Sequence, residues 1–192
     1  MKIILFGGAF DPPHLGHHSI TKNILDLVIA DQVWYVPAKT HPFAKKLTAD
    51  HHRLAMLEFL VADDPRTKIE TYELDKAGIS YSHETLDALA QKYPEHEFSW
   101  LIGSDNLAKF HLWGDSLGRD FKQMLAKYHF FVYPRKGYPF SPLYDNMTSL
   151  TNMQEIEVSS TLVRQKVANG EDISAVVKDE IIEYIKNNNL YR

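Results

Sequence analysis

The sequence predicts an α/β fold: a parallel sheet covered by helices on both faces and closed by helices at the C-terminal end. Three observations carry this expectation. Short apolar or β-branched runs alternate along the chain with segments of helical periodicity, a pattern that implies βαβ units. The first run, 3–6, reads Ile-Ile-Leu-Phe without a polar break, as a central strand buried on both faces does. No repeat, low-complexity tract or linker interrupts the rhythm, so 1–192 is read as one domain, long enough for one sizeable core.

The elements follow in order. Strands are expected at 2–6, 32–36, 68–72, 97–102, 129–133 and 155–158, from their apolar and β-branched content. Between them, 19–29 places Ile20, Ile24, Leu27 and Val28 near helical spacing, 52–61 does so with Leu54, Leu57 and Val61, and 85–89 continues the theme. A closing helix is expected at 172–188, with Ile173, Val176, Val177, Ile181, Ile182 and Ile185 on its apolar side. Two regions read as loops. One is 37–50, with two prolines and three lysines, expected to project from the second strand; the other is 134–152, with three prolines and a glycine.

Composition narrows the function classes. A formal net charge of −4 argues against broad nucleic-acid binding, which needs a basic excess, but leaves room for a small anion held by local positive potential. The lack of cysteine excludes disulfides and thiolate metal sites and suits a reducing cytosol. No apolar run reaches transmembrane length, and the N-terminus lacks a signal-peptide cleavage pattern. A cytoplasmic protein without membrane or nucleic-acid partners is expected.

Two helix starts stand out. The first strand runs into Gly7-Gly8-Ala9-Phe10-Asp11-Pro12-Pro13-His14-Leu15-Gly16-His17. In open parallel sheets, ligands bind beyond the carboxyl ends of the strands, where Gly7 and Gly8 would let a phosphate approach the backbone closely. His14 and His17, three residues apart, share one face of a helix whose N-terminus offers free N–H groups and partial positive charge. Gly16 leaves space between them. A histidine with an ordinary pKa of about 6.5 can be cationic beside a polyanion. A structural histidine pair is the bland alternative, and His14, His17 and His18 as metal ligands a weaker one, with only Asp11 nearby to complete the set. The spacing is not G-x-G-x-x-G, so no bound redox cofactor is indicated.

The second start is Val158-Ser159-Ser160-Thr161-Leu162-Val163-Arg164. Ser159, Ser160 and Thr161 are natural capping residues. Arg164 lies one turn after Ser160 on the same side, so hydroxyls, N–H donors and a guanidinium converge in a manner suited to phosphate. Two such starts suggest a bound nucleoside triphosphate.

These segments resemble the G-G-x-F-D-P-x-H-x-G-H and S-S-T-x-x-R signatures of the nucleotidyltransferase superfamily. The resemblance is nearest to the bacterial nicotinate mononucleotide adenylyltransferases and extends over most of the chain. It includes His52-Arg53-Leu54, Gly78-Ile79-Ser80-Tyr81-Ser82, Leu101-Ile102-Gly103-Ser104-Asp105, Trp113 and Pro134-Arg135-Lys136-Gly137-Tyr138. It implies a Rossmann-like, doubly wound sheet, with ATP and a pyridine mononucleotide as partners and Mg²⁺ accompanying ATP. It also implies catalytic roles for His14, His17 and Arg164, and an ATP site that further includes Gly7, Gly8, Phe10, Gly103, Asp105, Ser159, Ser160 and Thr161. Asp105 would meet the ribose hydroxyls. The mononucleotide would meet Ala9, Lys45, Tyr81, Thr85 and Trp113, the last stacked on the pyridine ring. No protein metal site is implied.

The chain departs from the family pattern in places. Where the family has P-P-H-K, segment 40–46 reads Thr-His-Pro-Phe-Ala-Lys-Lys, so Lys45 stands in for the missing cation, with His41 as an aid. Lys76 replaces the usual arginine, and Ser82 a threonine. These differences leave adenylyl transfer in place and bear on acid versus amide preference. The competing readings are the amide mononucleotide as acceptor, another small-molecule nucleotidyltransferase, a nucleotide-binding regulatory module and a metal-dependent hydrolase.

Overall fold

The computed structural model describes residues 1–39, 47–76, 78–79 and 81–192. Strand β1, Lys2–Gly8, takes the middle of the sheet because both of its faces are apolar. Ile4 and Phe6 enter one core, while Ile3 and Leu5 enter the other. On one side β1 pairs with β2, Gln32–Pro37, which pairs with β3, Thr67–Ile69. On the other it pairs with β4, Glu97–Gly103, then β5, His129–Tyr133, and β6, Met147–Ser149. All pairings are parallel and the order is β3-β2-β1-β4-β5-β6. This is the doubly wound, Rossmann-like arrangement, whose strand order reverses between β1 and β4 and opens a crevice there.

Helices α1, Leu15–Asp26, and α2, Asp50–Val61, cover the face that holds Ile4 and Phe6, through Ile20, Ile24, Met56 and Leu57. Helices α6, Ser160–Ala168, and α7, Asp179–Asn187, join them there through Val163, Ile181 and Ile185. The opposite face is covered by α4, Ser82–Lys92, a 3₁₀ segment Ser104–Leu112, and α5, Phe121–Lys127. Leu86, Leu89, Phe110 and Met124 form that core. A short α3, Tyr72–Asp75, follows β3.

Several boundaries differ from the sequence expectation, among them the helix expected at 19–29, which runs Leu15–Asp26 and leaves Leu27 and Val28 exposed. The strand expected at 68–72 ends at Ile69, because Glu70 accepts the Tyr72 N–H at 3.1 Å and the Thr71 carbonyl accepts the Leu74 N–H at 2.8 Å, turning the chain into α3. Segment 155–158 contributes only an isolated parallel bridge between Ile156 and Arg135. The sixth strand lies instead at Met147–Ser149, inside the expected 134–152 loop. Three residues are too few to show a period, and pairing with β5 alone makes them a strand. The closing helix is shorter than 172–188, with Lys178 at its N-cap and Ile173 and Val177 buried in the preceding turn.

Candidate active site

The glycine-rich turn at the end of β1 is held from three directions. Gly7 packs against the Trp100 indole of β4, and a side chain there would overlap the ring. The buried Asp11 carboxylate accepts the Tyr191 hydroxyl at 2.6 Å and the Thr48 N–H at 3.1 Å, tying the turn to the C-terminus and to the entry of α2. Arg53 of α2 is wholly buried. It donates to the carbonyls of Ala9 (2.7 Å) and Thr48 (3.0 Å) and to Asp50 Oδ1 (2.6 Å). A guanidinium suits this task because its donors form a rigid fork.

His14 is the N-cap of α1, and His17 sits one turn in. Their rings stack at 3.7 Å with 20° between planes. The His14 N–H donates to His17 Nδ1 at 3.1 Å, so a neutral His17 carries its proton on Nε2. Burial lowers the His14 pKa to about 3, with Arg135 adding to the effect. Burial, then His14 and Arg135, push His17 well below the usual histidine range as well. Without ligand both rings are therefore neutral, and His17 is a hydrogen-bond donor. His18 faces the other way, 3.9 Å from Asp63. Phe10, expected at the ATP site, turns its ring into the core against Phe6, His17 and Tyr35. It supports His17 from behind, and only its backbone, at φ +48°, belongs to the turn.

The two helix starts meet. Ser160 Oγ donates to the Pro12 carbonyl at 2.8 Å, and Arg164 Nη1 donates to the Asp11 carbonyl at 2.6 Å, across 148 and 153 positions of sequence. Arg164 Nη2 also reaches Thr161 Oγ at 3.2 Å, and Ser159 caps α6 by accepting the Leu162 N–H at 3.2 Å. The Ser160 hydroxyl and part of the Arg164 guanidinium therefore hold α6 against the turn, leaving the Ser160 and Thr161 N–H groups of α6 to be presented. Gly16 closes the joint and also leaves room beside the histidines, since an added Cβ would stand 3.0 Å from His14 Nδ1. A Cβ there would stand 2.6 Å from Val158 Cγ1 and 2.9 Å from Ile156 Cγ2.

Beside this joint, a cleft opens between the ends of β1 and β4, lined by Gly8, Tyr81, Trp100, Gly103 and Trp113. Trp113 ends the 3₁₀ segment with its ring 4.9 Å from Phe110. Asp105 follows Gly103, its carboxylate 3.9 Å from Arg135 Nε. Thr85, expected to meet the mononucleotide, is buried, and its hydroxyl donates to Glu73 at 2.8 Å and to the Tyr81 carbonyl at 3.2 Å. It thereby fixes Glu73 in the cleft wall. Lys45 and His41 lie outside the described residues. Arg53, Trp100 and Arg135 were not anticipated as site residues, and Asp11 only as the one acidic group beside the histidines. Arg53 and Arg135 lie in stretches that carry the family resemblance, whereas only the pairing of Leu5 with Trp100 sets that indole beside Gly7.

The neutral histidines have a consequence for stability. A histidine whose folded pKa is lowered favours folding above its unfolded value, and that stability is lost as pH falls towards the folded value. The ligand-free protein is therefore expected to lose stability between about pH 6.5 and about pH 3 through His14, with His17 contributing in the same direction. Urea midpoints measured across that range should fall with acid, and less steeply in a His14→Asn variant.

Comparison with known proteins agrees with this geometry. The cytidylyltransferase-like family model matches residues 5–166. A probable nicotinate-nucleotide adenylyltransferase of Bacillus licheniformis is 31% identical over 99% of this chain and 98% of its own. One from Exiguobacterium sibiricum is 33% identical over 100% and 99%. Among solved structures, the fold resembles Plasmodium falciparum nicotinic acid mononucleotide adenylyltransferase complexed with NaAD, at a TM-score of 0.83 and 20% identity over 99% of this chain and 97% of that one. With both signatures joined at the switch point and full-length relatives of one kind, the chain belongs to the cytidylyltransferase-like family and, within it, to the nicotinate-nucleotide adenylyltransferases.

Proposed function

We propose that this protein transfers the adenylyl group of ATP to nicotinate mononucleotide, giving nicotinate adenine dinucleotide and pyrophosphate in NAD biosynthesis. The observation that carries the reading is the docking of α6 on the 11–13 turn, which sets two helix N-termini and the His14–His17 pair around one space beside an aromatic cleft. A phosphate oxygen of the mononucleotide attacks the α-phosphorus of ATP, and the α–β bridging oxygen leaves with pyrophosphate. The attacking phosphate is already anionic, so no strong base is needed. Catalysis rests on alignment and on donors aimed at the developing charge.

His17 Nε2–H and the Ser160 and Thr161 N–H groups at the start of α6 are the proposed donors to the polyphosphate. Gly7 and Gly8 give it close approach, Gly103 and Asp105 take the ribose, and Tyr81 and Trp113 flank the pyridine ring. Among the described residues no group of three His, Cys, Asp or Glu side chains could hold a metal, and both Asp11 oxygens already accept hydrogen bonds. Mg²⁺ in this proposal is held by triphosphate oxygens and water, its usual habit with nucleotides, and neutralises phosphate charge. A cytosolic location, also proposed, fits a chain without cysteine.

Pyrophosphate release tests the reading. It should be rapid with ATP plus nicotinate mononucleotide and slower with the amide. Equal rates would defeat the acid preference, and no release with either would defeat the reaction. Trp113→Ala should raise KM for the mononucleotide about tenfold, as loss of an aromatic stacking partner does, while KM for ATP changes little. Equal rises in both would remove Trp113 from the pyridine subsite.

A further inference from the structure

We propose that Arg135 is a second arginine of the ATP site, joining its ribose end to its phosphate end and contacting the polyphosphate directly. The inference rests on the adenylyl-transfer reading above.

Arg135 lies just beyond the carboxyl end of β5, with its backbone fixed. Its N–H donates to Ser104 Oγ at 3.0 Å, and it bridges to Ile156. The side chain crosses Gly103, where an added Cβ would stand 2.9 Å from Arg135 Cγ; the glycine is what lets the arginine pass. Nη1 donates to the Val158 carbonyl at 2.8 Å, one residue before the N-cap of α6. Nε stands 3.9 Å from Asp105 Oδ1. Nη2 has no hydrogen-bond partner among the described residues. The side chain is only 18% exposed, and a buried guanidinium keeps its charge and seeks anionic oxygens for its unspent donors.

Its neighbours agree with this role. Arg135 is close enough to both imidazoles to disfavour their protonation. The work of the site is thereby divided. Arg135 supplies fixed positive charge between Asp105 and the α6 N-terminus, and His17 supplies a neutral hydrogen bond. Arg164, by contrast, is engaged with the Asp11 carbonyl and Thr161.

The test compares wild type, Arg135→Gln and Arg135→Lys. Affinity for α,β-methylene ATP is read by calorimetry, alongside kcat, both KM values and the melting temperature. Wild-type turnover confirms the underlying reaction independently of Arg135. Arg135→Gln should weaken the ATP analogue about tenfold or more, as losing a charge-assisted hydrogen bond does. It should raise KM for ATP in parallel and leave KM for the mononucleotide nearly unchanged. Arg135→Lys, which keeps the charge, should recover part of the loss. Unchanged analogue affinity in the folded glutamine variant would overturn the proposal. So would equal losses for both substrates with a lowered melting temperature and no recovery in the lysine variant.

Discussion

His17→Ala is expected to lower kcat about a hundredfold or more, the usual cost of removing one donor aimed at transition-state charge, roughly 2.7–4 kcal/mol. His17 is placed for that task by the groups packed around it. His14 stacks on its ring, the His14 N–H takes its Nδ1, and Phe6 and Phe10 meet it edge-on at 5.6 and 5.0 Å. These contacts leave Nε2–H as the group that can serve the ligand. They also mean that alanine removes packing, so a loss of about 1–3 kcal/mol of stability should accompany the loss of turnover. Circular dichroism at the assay temperature separates the two effects. His17→Gln, which retains a neutral N–H donor, should recover part of kcat. Near-normal turnover in a folded His17→Ala protein would reject the role.

The second large effect is on stability. Arg53→Met should destabilise the protein by about 3–5 kcal/mol, the range for removing one partner of a buried ionic group. Three hydrogen bonds disappear together, and the carbonyls of Ala9 and Thr48 lose their cationic donor. For a chain of this size, the melting temperature should fall by roughly 6–20 °C. Because Ala9 lies in the phosphate turn, kcat should fall as well, even below the melting transition. A melting temperature within about 2 °C of wild type would show that methionine packing fully compensates.

The two variants bear on different kinds of legibility. His17 could be read from the chain because its role depends on helical spacing from His14 and on a glycine-rich turn before it, features that lie within eleven consecutive residues. Arg53 could not. It lies there in a helical stretch that carries the family resemblance but shows no role, and only folding brings it under the Ala9 carbonyl, 44 positions away. Asp11 shows the same limit. Its carboxylate looked like a candidate ligand beside the histidines, yet Tyr191, 180 positions on, occupies one of its oxygens. Thr85 is similar, since its hydroxyl is claimed by Glu73 from the preceding helix. The Phe10 ring is placed by a different cause. A positive φ in the turn rotates its ring away from the ligand side, and a sequence does not display backbone angles.

Protonation in the free protein is the other property that the chain does not show. An imidazole near a polyanion reads as a cation when only its ordinary pKa is known. Burial and the guanidinium of Arg135 reverse that expectation in the free protein, and neither is a local property.

The family resemblance implied the type of reaction, and the sequence by itself determined the α/β architecture, the central place of β1 and the two helix starts expected to meet phosphate. Each is written in patterns shorter than about twenty residues, where periodicity and local backbone preference dominate. The tertiary structure alone decided which donors remain for the ligand. It placed β6, drew α6 onto the 11–13 turn through Ser160 and Arg164, committed Asp11, Arg53 and Thr85 to holding the walls, and left His17 neutral. Hydrogen-bond partners and desolvation are set by groups far apart along the chain, and they come into being only when the sheet has formed.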